Sequence, residues 1–229
     1  EIREATLGPW HPDSGSGWNE LARCALSVGD ADEAIVAARR ALSILLVTYG
    51  PAHPNIVYAM VSIGLAQRMQ GRHAAAVGTF RSAVGLASFG GGAPRPALAS
   101  ALLAFGGALV DDGDAYEGLL VLERGWAIVE QAPDDDQRTE ADRFLVAIAE
   151  AELRLGRLAD AERHARSAHE RAQARQLPHS AIAIAQIVLA QVRAAQGHRA
   201  EAAAVMARAC AEPHSALAFE FSGCTTRGR

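Results

Sequence analysis

Eight histidines, one acidic cluster and one glycine run are the features of this sequence that could do chemistry, and their spacing decides what each can do. His11 and His53 lie in matching pentapeptides, GPWHP and GPAHP. If those loops belong to stacked helical layers, about 10 Å separates them, whereas zinc holds its nitrogen ligands about 2 Å away. His164 and His169 are five apart, which on a helix turns them to different sides. The histidines therefore read as solvated or capping groups. Asp111, Asp112, Asp114 and Glu117 resemble a calcium loop in outline, but Tyr116 takes a ligand position and Gly113 serves a turn. Gly90 to Gly92 is followed by no Lys-Ser or Lys-Thr and emerges from no strand, so it reads as a connector instead of a phosphate cradle. There is no G-x-S-x-G and no H-E-x-x-H. Cys24, Cys210 and Cys224 are an odd set at wide spacing, which fits neither a disulfide framework nor a zinc site. Cys24 and Cys210 fall on amphipathic stretches and are expected as core or semi-buried thiols. No catalytic residue, cofactor or metal is expected.

The elements that carry these residues follow a ruler. GPWHP at Gly8 to Pro12 recurs as GPAHP at Gly50 to Pro54 and, degenerately, as GAPRP at Gly92 to Pro96, a period of 42. A one-residue insertion near Asp134 to Asp136 shifts the fourth copy, and the fifth recovers. A turn glycine stands at Gly29, Gly71, Gly113, Gly156 and Gly197, each between two apolar-periodic runs: helix, turn, helix. Upstream of each, a large apolar residue precedes a small one: Leu21-Ala22, Ile63-Gly64, Phe105-Gly106, Ile148-Ala149 and Leu189-Ala190. Downstream, small residues recur at Ala34, Ala76, Gly118, Ala161 and Ala202, and again at Ala41, Ala83, Gly125, Ala168 and Ala209. Small side chains where two helices cross let the axes approach to about 8 Å. The pattern predicts first helices near 13–28, 54–70, 96–112, 138–155 and 179–196, and second helices near 31–48, 73–88, 115–131, 158–175 and 199–211. The fold class is all-α, an α-solenoid of about five antiparallel helix pairs over residues 1–211, with residues 212–229 as a cap or tail. Residues 1 to 7 align with Ser43 to Tyr49, so the sequence is expected to open within a repeat and to be one piece of a longer polypeptide.

Composition excludes several partners. A net charge of -4 and a pI near 6.1 argue against nucleic acid, because phosphate binding needs a basic surface that releases counterions. The longest charge-free apolar stretch, Pro96 to Val110, falls short of the roughly 20 residues that span a bilayer and reads as a buried helix. A cytoplasmic setting and no membrane partner are expected.

The pattern resembles the tetratricopeptide repeat in its longer, kinesin-light-chain-like form, whose copies read approximately G-P-x-H-P-x-x-A, then L-A, G, E-A and A-L. The segment Trp18 to Leu42 matches best. Arg95 stands where the histidine should be, and the fourth copy lacks the His-Pro pair. The resemblance implies a right-handed superhelix whose first helices line a concave groove. It places Asn19 and Arg23 there, with Ser16 and Ser27, then Tyr58, Val61, Leu65 and Arg68, then Leu103, then Arg143, Val146 and Glu150, then Ile187 and Gln191. The family often carries asparagine at the position of Asn19 to hydrogen-bond a peptide backbone, and Val61, Leu103, Val146 and Ile187 replace it in the other copies. What remains is an apolar floor with arginines near it, fitting a peptide or protein segment with hydrophobic anchors and an acidic side chain. The competing reading makes Leu103, Val146 and Ile187 inter-helix packing.

The function expected is an interaction scaffold that is not itself an enzyme. The alternatives are a regulatory or substrate-selecting region of a larger signalling enzyme, such as a bacterial serine/threonine kinase, and a self-association module.

Overall fold

The computed structural model describes residues 6, 8, 10–51, 53–88, 95–131, 135–176 and 179–211. The 212–229 segment, with Cys224, lies outside them. The described helices are α1 (Pro12–Val28), α2 (Ala31–Tyr49), α3 (Pro54–Met69), α4 (His73–Ser88), α5 (Arg95–Asp112), α6 (Ala115–Glu130), α7 (Asp135–Arg154), α8 (Leu158–Ala174), α9 (His179–Ala195) and α10 (Arg199–Ala211). These agree with the ten helices that the period predicts. Helix α7 opens at Asp135, three residues earlier than expected.

Several helices begin and end for a local reason. His11 and His53 are N-caps: their Nδ1 atoms accept the backbone N–H of Asp13 (3.2 Å) and Asn55 (3.3 Å), and Pro12 and Pro54 follow at a position that needs no N–H. The His53 ring also stacks on Tyr49, centroids 4.2 Å apart. Asp30 and Asp114 cap α2 and α6 by accepting the N–H groups of Glu33 and Glu117. At the hairpin turn Gly29 adopts φ 85°, and the Asp30 N–H donates back to the Ala25 carbonyl at 2.9 Å. The same backbone bond recurs from Arg72 to Gln67, Arg157 to Glu152 and His198 to Arg193. Gly50 differs: φ 73° and ψ 175° put it in a region open essentially to glycine, which ends α2 and turns the chain into the next repeat.

The chain divides into two compact units, Glu1–Asp112 and Gly113–Arg229. In the first, α1 packs on α2 and α3 on α4 as antiparallel hairpins, while α3 lies beside both α1 and α5. In the second, α7 packs on α8 and α9 on α10, with α7 beside α9. The small residues do sit at the crossings. Ala34, Ala76, Ala161, Ala202, Ala41, Ala83, Ala168 and Ala209 are buried, as are Gly118 and Gly125. Ile63 inserts among Ala22, Ala37 and Ala38, and Ala66 among Ala25, Ala34 and Ile35. Ala34, Ala37, Ala38 and Ala41 of α2 thus share core clusters with side chains of α3.

Candidate protein-binding face

In the first unit the adjacent first helices α1, α3 and α5 hold most of the residues that the resemblance placed in a groove. Tyr58, Leu65 and Leu103 are half-buried, whereas Val61 is buried. The Asn19 amide turns towards its neighbour: Nδ2 donates to the Asn55 carbonyl at 3.0 Å, and Asn55 Nδ2 reaches Ser16 Oγ at 3.4 Å. Asn19 Oδ1 is buried without a hydrogen-bond partner. This polar bridge ties α1 to the start of α3. Arg23 is exposed and pairs with Glu20 one turn earlier. Arg68, half-buried, pairs across repeats with Asp111 at the end of α5. A Cβ on the half-buried Gly107 would meet the Arg68 guanidinium at 3.9 Å, so the arginine lies over a glycine-sized step in α5.

In the second unit Arg143 is exposed, and Glu150 and Gln191 are half-buried. Val146 packs with Leu145, Ala149, Val188 and Leu189, and Ile187 is fully buried beside Ala183 and Ala209. Burial pushes the Glu140 carboxyl above the usual carboxylate range, an effect that nearby Arg143 opposes.

Several groups differ from the sequence reading. Cys24 is exposed, because the side of α1 on which it sits has no helix against it among the described residues. The Cys210 side chain lies outside the described residues. His164 is neither solvated nor a cap: its Nδ1 lies 2.7 Å from Oε2 of the buried Glu152. Asp142, 5% exposed, accepts Arg171 Nε at 2.8 Å and Arg175 Nη1 at 3.3 Å, and the Arg171 guanidinium lies 5.5 Å from the Trp126 ring centroid. This network joins α6, α7 and α8, and sequence reasoning missed it. The period held its signal, since Asp142 falls in the column of Val57, Ala99 and Ala183, all buried and apolar. Among the described residues no three His, Cys, Asp or Glu side chains could together hold a metal ion, and no helix is long and apolar enough to cross a membrane.

Residues 1–88 match the tetratricopeptide repeat family. No curated protein sequence matches the chain significantly. Beyond residue 88 the likeness to tetratricopeptide arrays is structural. A crystal structure of Podosopora anserina kinesin light chain nearly identical TPR-like repeats is similar at a TM-score of 0.63 and 20% identity, covering 88% of this chain and 95% of that one. A Rap protein complexed with Competence and Sporulation Factor gives 0.66 at 15% identity, covering 91% of this chain and 62% of that one. The apo form of RapI gives 0.65 at 12% identity, covering 82% and 69%. At these identities the tetratricopeptide likeness speaks for the fold.

Proposed function

We propose that the chain is a protein-interaction module that receives a peptide or protein segment on the face of α1, α3 and α5. The observation that carries this reading is the half-open apolar row of Tyr58, Leu65 and Leu103 beside the Arg68 guanidinium. Apolar side chains of the ligand anchor on that row. Its acidic side chain meets Arg68 in exchange for Asp111, so the charge serves specificity more than affinity. Val61 contributes from behind the row, and Asn19 and Arg23 flank it. In the second unit Arg143, Glu150 and Gln191 are the groups positioned to touch a ligand, with Val146 and Ile187 supporting them from the core. The Rap protein that carries Competence and Sporulation Factor supports a fold of this kind holding a ligand.

A peptide array that varies hydrophobic spacing and one acidic position tests the proposal, probed with the chain and with its Leu65→Asp and Arg68→Glu variants. Leu65 is a better probe than Val61, whose burial makes Val61→Asp a folding defect first. Spots lost in both variants support the assigned face, and spots retained by both move the site elsewhere.

A second reading, a regulatory repeat region within a larger signalling protein, is favoured by the Rap comparison, in which the matched part makes up 62% of that chain. A catalytic signature in the same open reading frame would decide for it.

A further inference from the structure

Resting on the binding face proposed above, we infer that Asp111 is a built-in competitor for the ligand's carboxylate, and that Gly107 is the seat that lets Arg68 reach it. Three residues depart from the repeat here, and they meet in one contact. Arg68 stands in a column that otherwise holds Leu26, Val110, Leu153 and Ala194. Asp111 is the acid in a column with Ser27, Met69, Arg154 and Ala195, and Gly107 is the glycine in one with Arg23, Leu65, Glu150 and Gln191. The other copies fold with different residues at all three positions, so the helix hairpin does not require these. Together they carry the Arg68 guanidinium from α3 across α5 onto the Asp111 carboxylate.

The seat and the acid have separate physical roles. Beyond the helix's own backbone, Arg68 Nη1 is what a Gly107 Cβ would meet among the described residues, at 3.9 Å, so a longer side chain there would stand where the guanidinium lies. Gly78 and Gly85 of α4 are open as well, but their Cβ positions meet nothing within 4 Å. Asp111 lies in the last turn of α5, where the partial negative charge of the helix end disfavours a carboxylate. Its own helix does not account for that acid, whereas the arginine reaching over from α3 does. The two side chains are 31% and 34% exposed, so a ligand can reach the pair and both groups can rehydrate when it opens. A ligand's carboxylate thus gains from Arg68 about what Asp111 gives up. Asp111 thereby lowers what that acid adds to affinity, while a ligand without an acid leaves the pair intact.

The test uses the full chain with and without ligand. The peptides of the array are made as twins carrying Asp or Asn at the acidic position, and their Kd values are measured for the parent, Asp111→Asn and Leu65→Asp. Asp111→Asn should bind the Asp peptides about three- to fivefold tighter, the effect expected of one partly exposed ion pair, and the Asn twins as the parent does. Without peptide, the Arg68 Nε resonance of chain labelled with 15N-arginine is identified by its loss in Arg68→Lys. Asp111→Asn and Gly107→Leu should both move it towards that of a solvated arginine, because either change frees the guanidinium. A resonance that stays in place in both variants overturns the proposal. Equal gains for the twins, or no gain, with binding still lost in Leu65→Asp, overturn the competitor and leave the face standing. Binding that Leu65→Asp leaves intact removes the face itself, and the competitor falls with it.

Discussion

The Phe80 ring lies against Gly64, where a Cβ would come within 2.4 Å of the Phe80 Cε1 atom. The same two repeat positions hold Ala22 with Ala38 in the first copy and Ala149 with Ala165 in the fourth, and each of those pairs shares a core cluster. In these three copies glycine stands where its partner is large, and alanine where the partner is alanine. Gly64→Ala should cost about 1 to 3 kcal/mol by overpacking, and Phe80→Ala about 3 to 5 kcal/mol by leaving a cavity. The double variant recreates the alanine pair of the first and fourth copies and should lose clearly less than the sum. Urea unfolding of the three variants measures this, and additive losses would mean that the two side chains do not share one space.

Asp142 is the buried charge on which Arg171 and Arg175 converge. Alanine fills the same column in two other copies, so Asp142→Ala should fit sterically and lose stability through the carboxylate taken away from Arg171 and Arg175. Both arginines keep part of their side chains in solvent, which lets them rehydrate and holds the expected loss to about 1 to 3 kcal/mol. Chemical denaturation reads the effect. A neutral result would make the carboxylate a tolerated passenger in its column.

The helices and their turns were legible in the sequence because the signals are local and repeated: a capping His-Pro pair, a turn glycine, and alanine at fixed offsets from both. The column of each residue was legible too, but the burial of a column depends on what stands beside it. Cys24 shows this directly, since its position is covered in α3 by the α2 alanines and open in α1. Side-chain pairings between helices were not legible. Arg68 with Asp111, and His164 with Glu152, depend on rotamers and helix offsets that no spacing encodes. The candidate face was accordingly readable as a set of positions, while the division into open residues such as Leu65 and closed ones such as Ile187 required coordinates.

Gln176 has φ 53° just past the end of α8, where the hairpin turns place glycine. A side chain in that region costs about 1 kcal/mol. Gln176→Gly should therefore raise stability by about 0.5 to 1 kcal/mol, less the extra freedom glycine gives the unfolded chain. A β-branched Gln176→Val should lower it. Thermal unfolding of both variants tests the pair, and equal melting temperatures would show that this turn relaxes without penalty.

Glu140 carries a carboxyl whose pKa burial raises. A raised folded-state value means that ionisation opposes folding, so the penalty is present at neutral pH and disappears as pH falls through the carboxylate range. Glu140→Gln should be more stable than the parent at pH 7 and indistinguishable from it near pH 4. Parallel stability curves across that interval would argue that the carboxylate is well solvated.

His169 presents the opposite linkage. Its Nδ1 is buried without a hydrogen-bond partner, and burial lowers its pKa more than the adjacent Glu170 raises it. The folded chain therefore binds this proton less readily than the unfolded chain does, which makes stability complete above the ordinary histidine value of about 6.5 and diminishing as pH falls below it. Replacing the ring by leucine removes both the unsatisfied nitrogen and the proton linkage. His169→Leu should be close to the parent at pH 8 and progressively more stable relative to it down to pH 5. Urea midpoints at intervals across that range supply the test, and a constant difference between the two proteins would show that the imidazole titrates alike in the folded and unfolded chains.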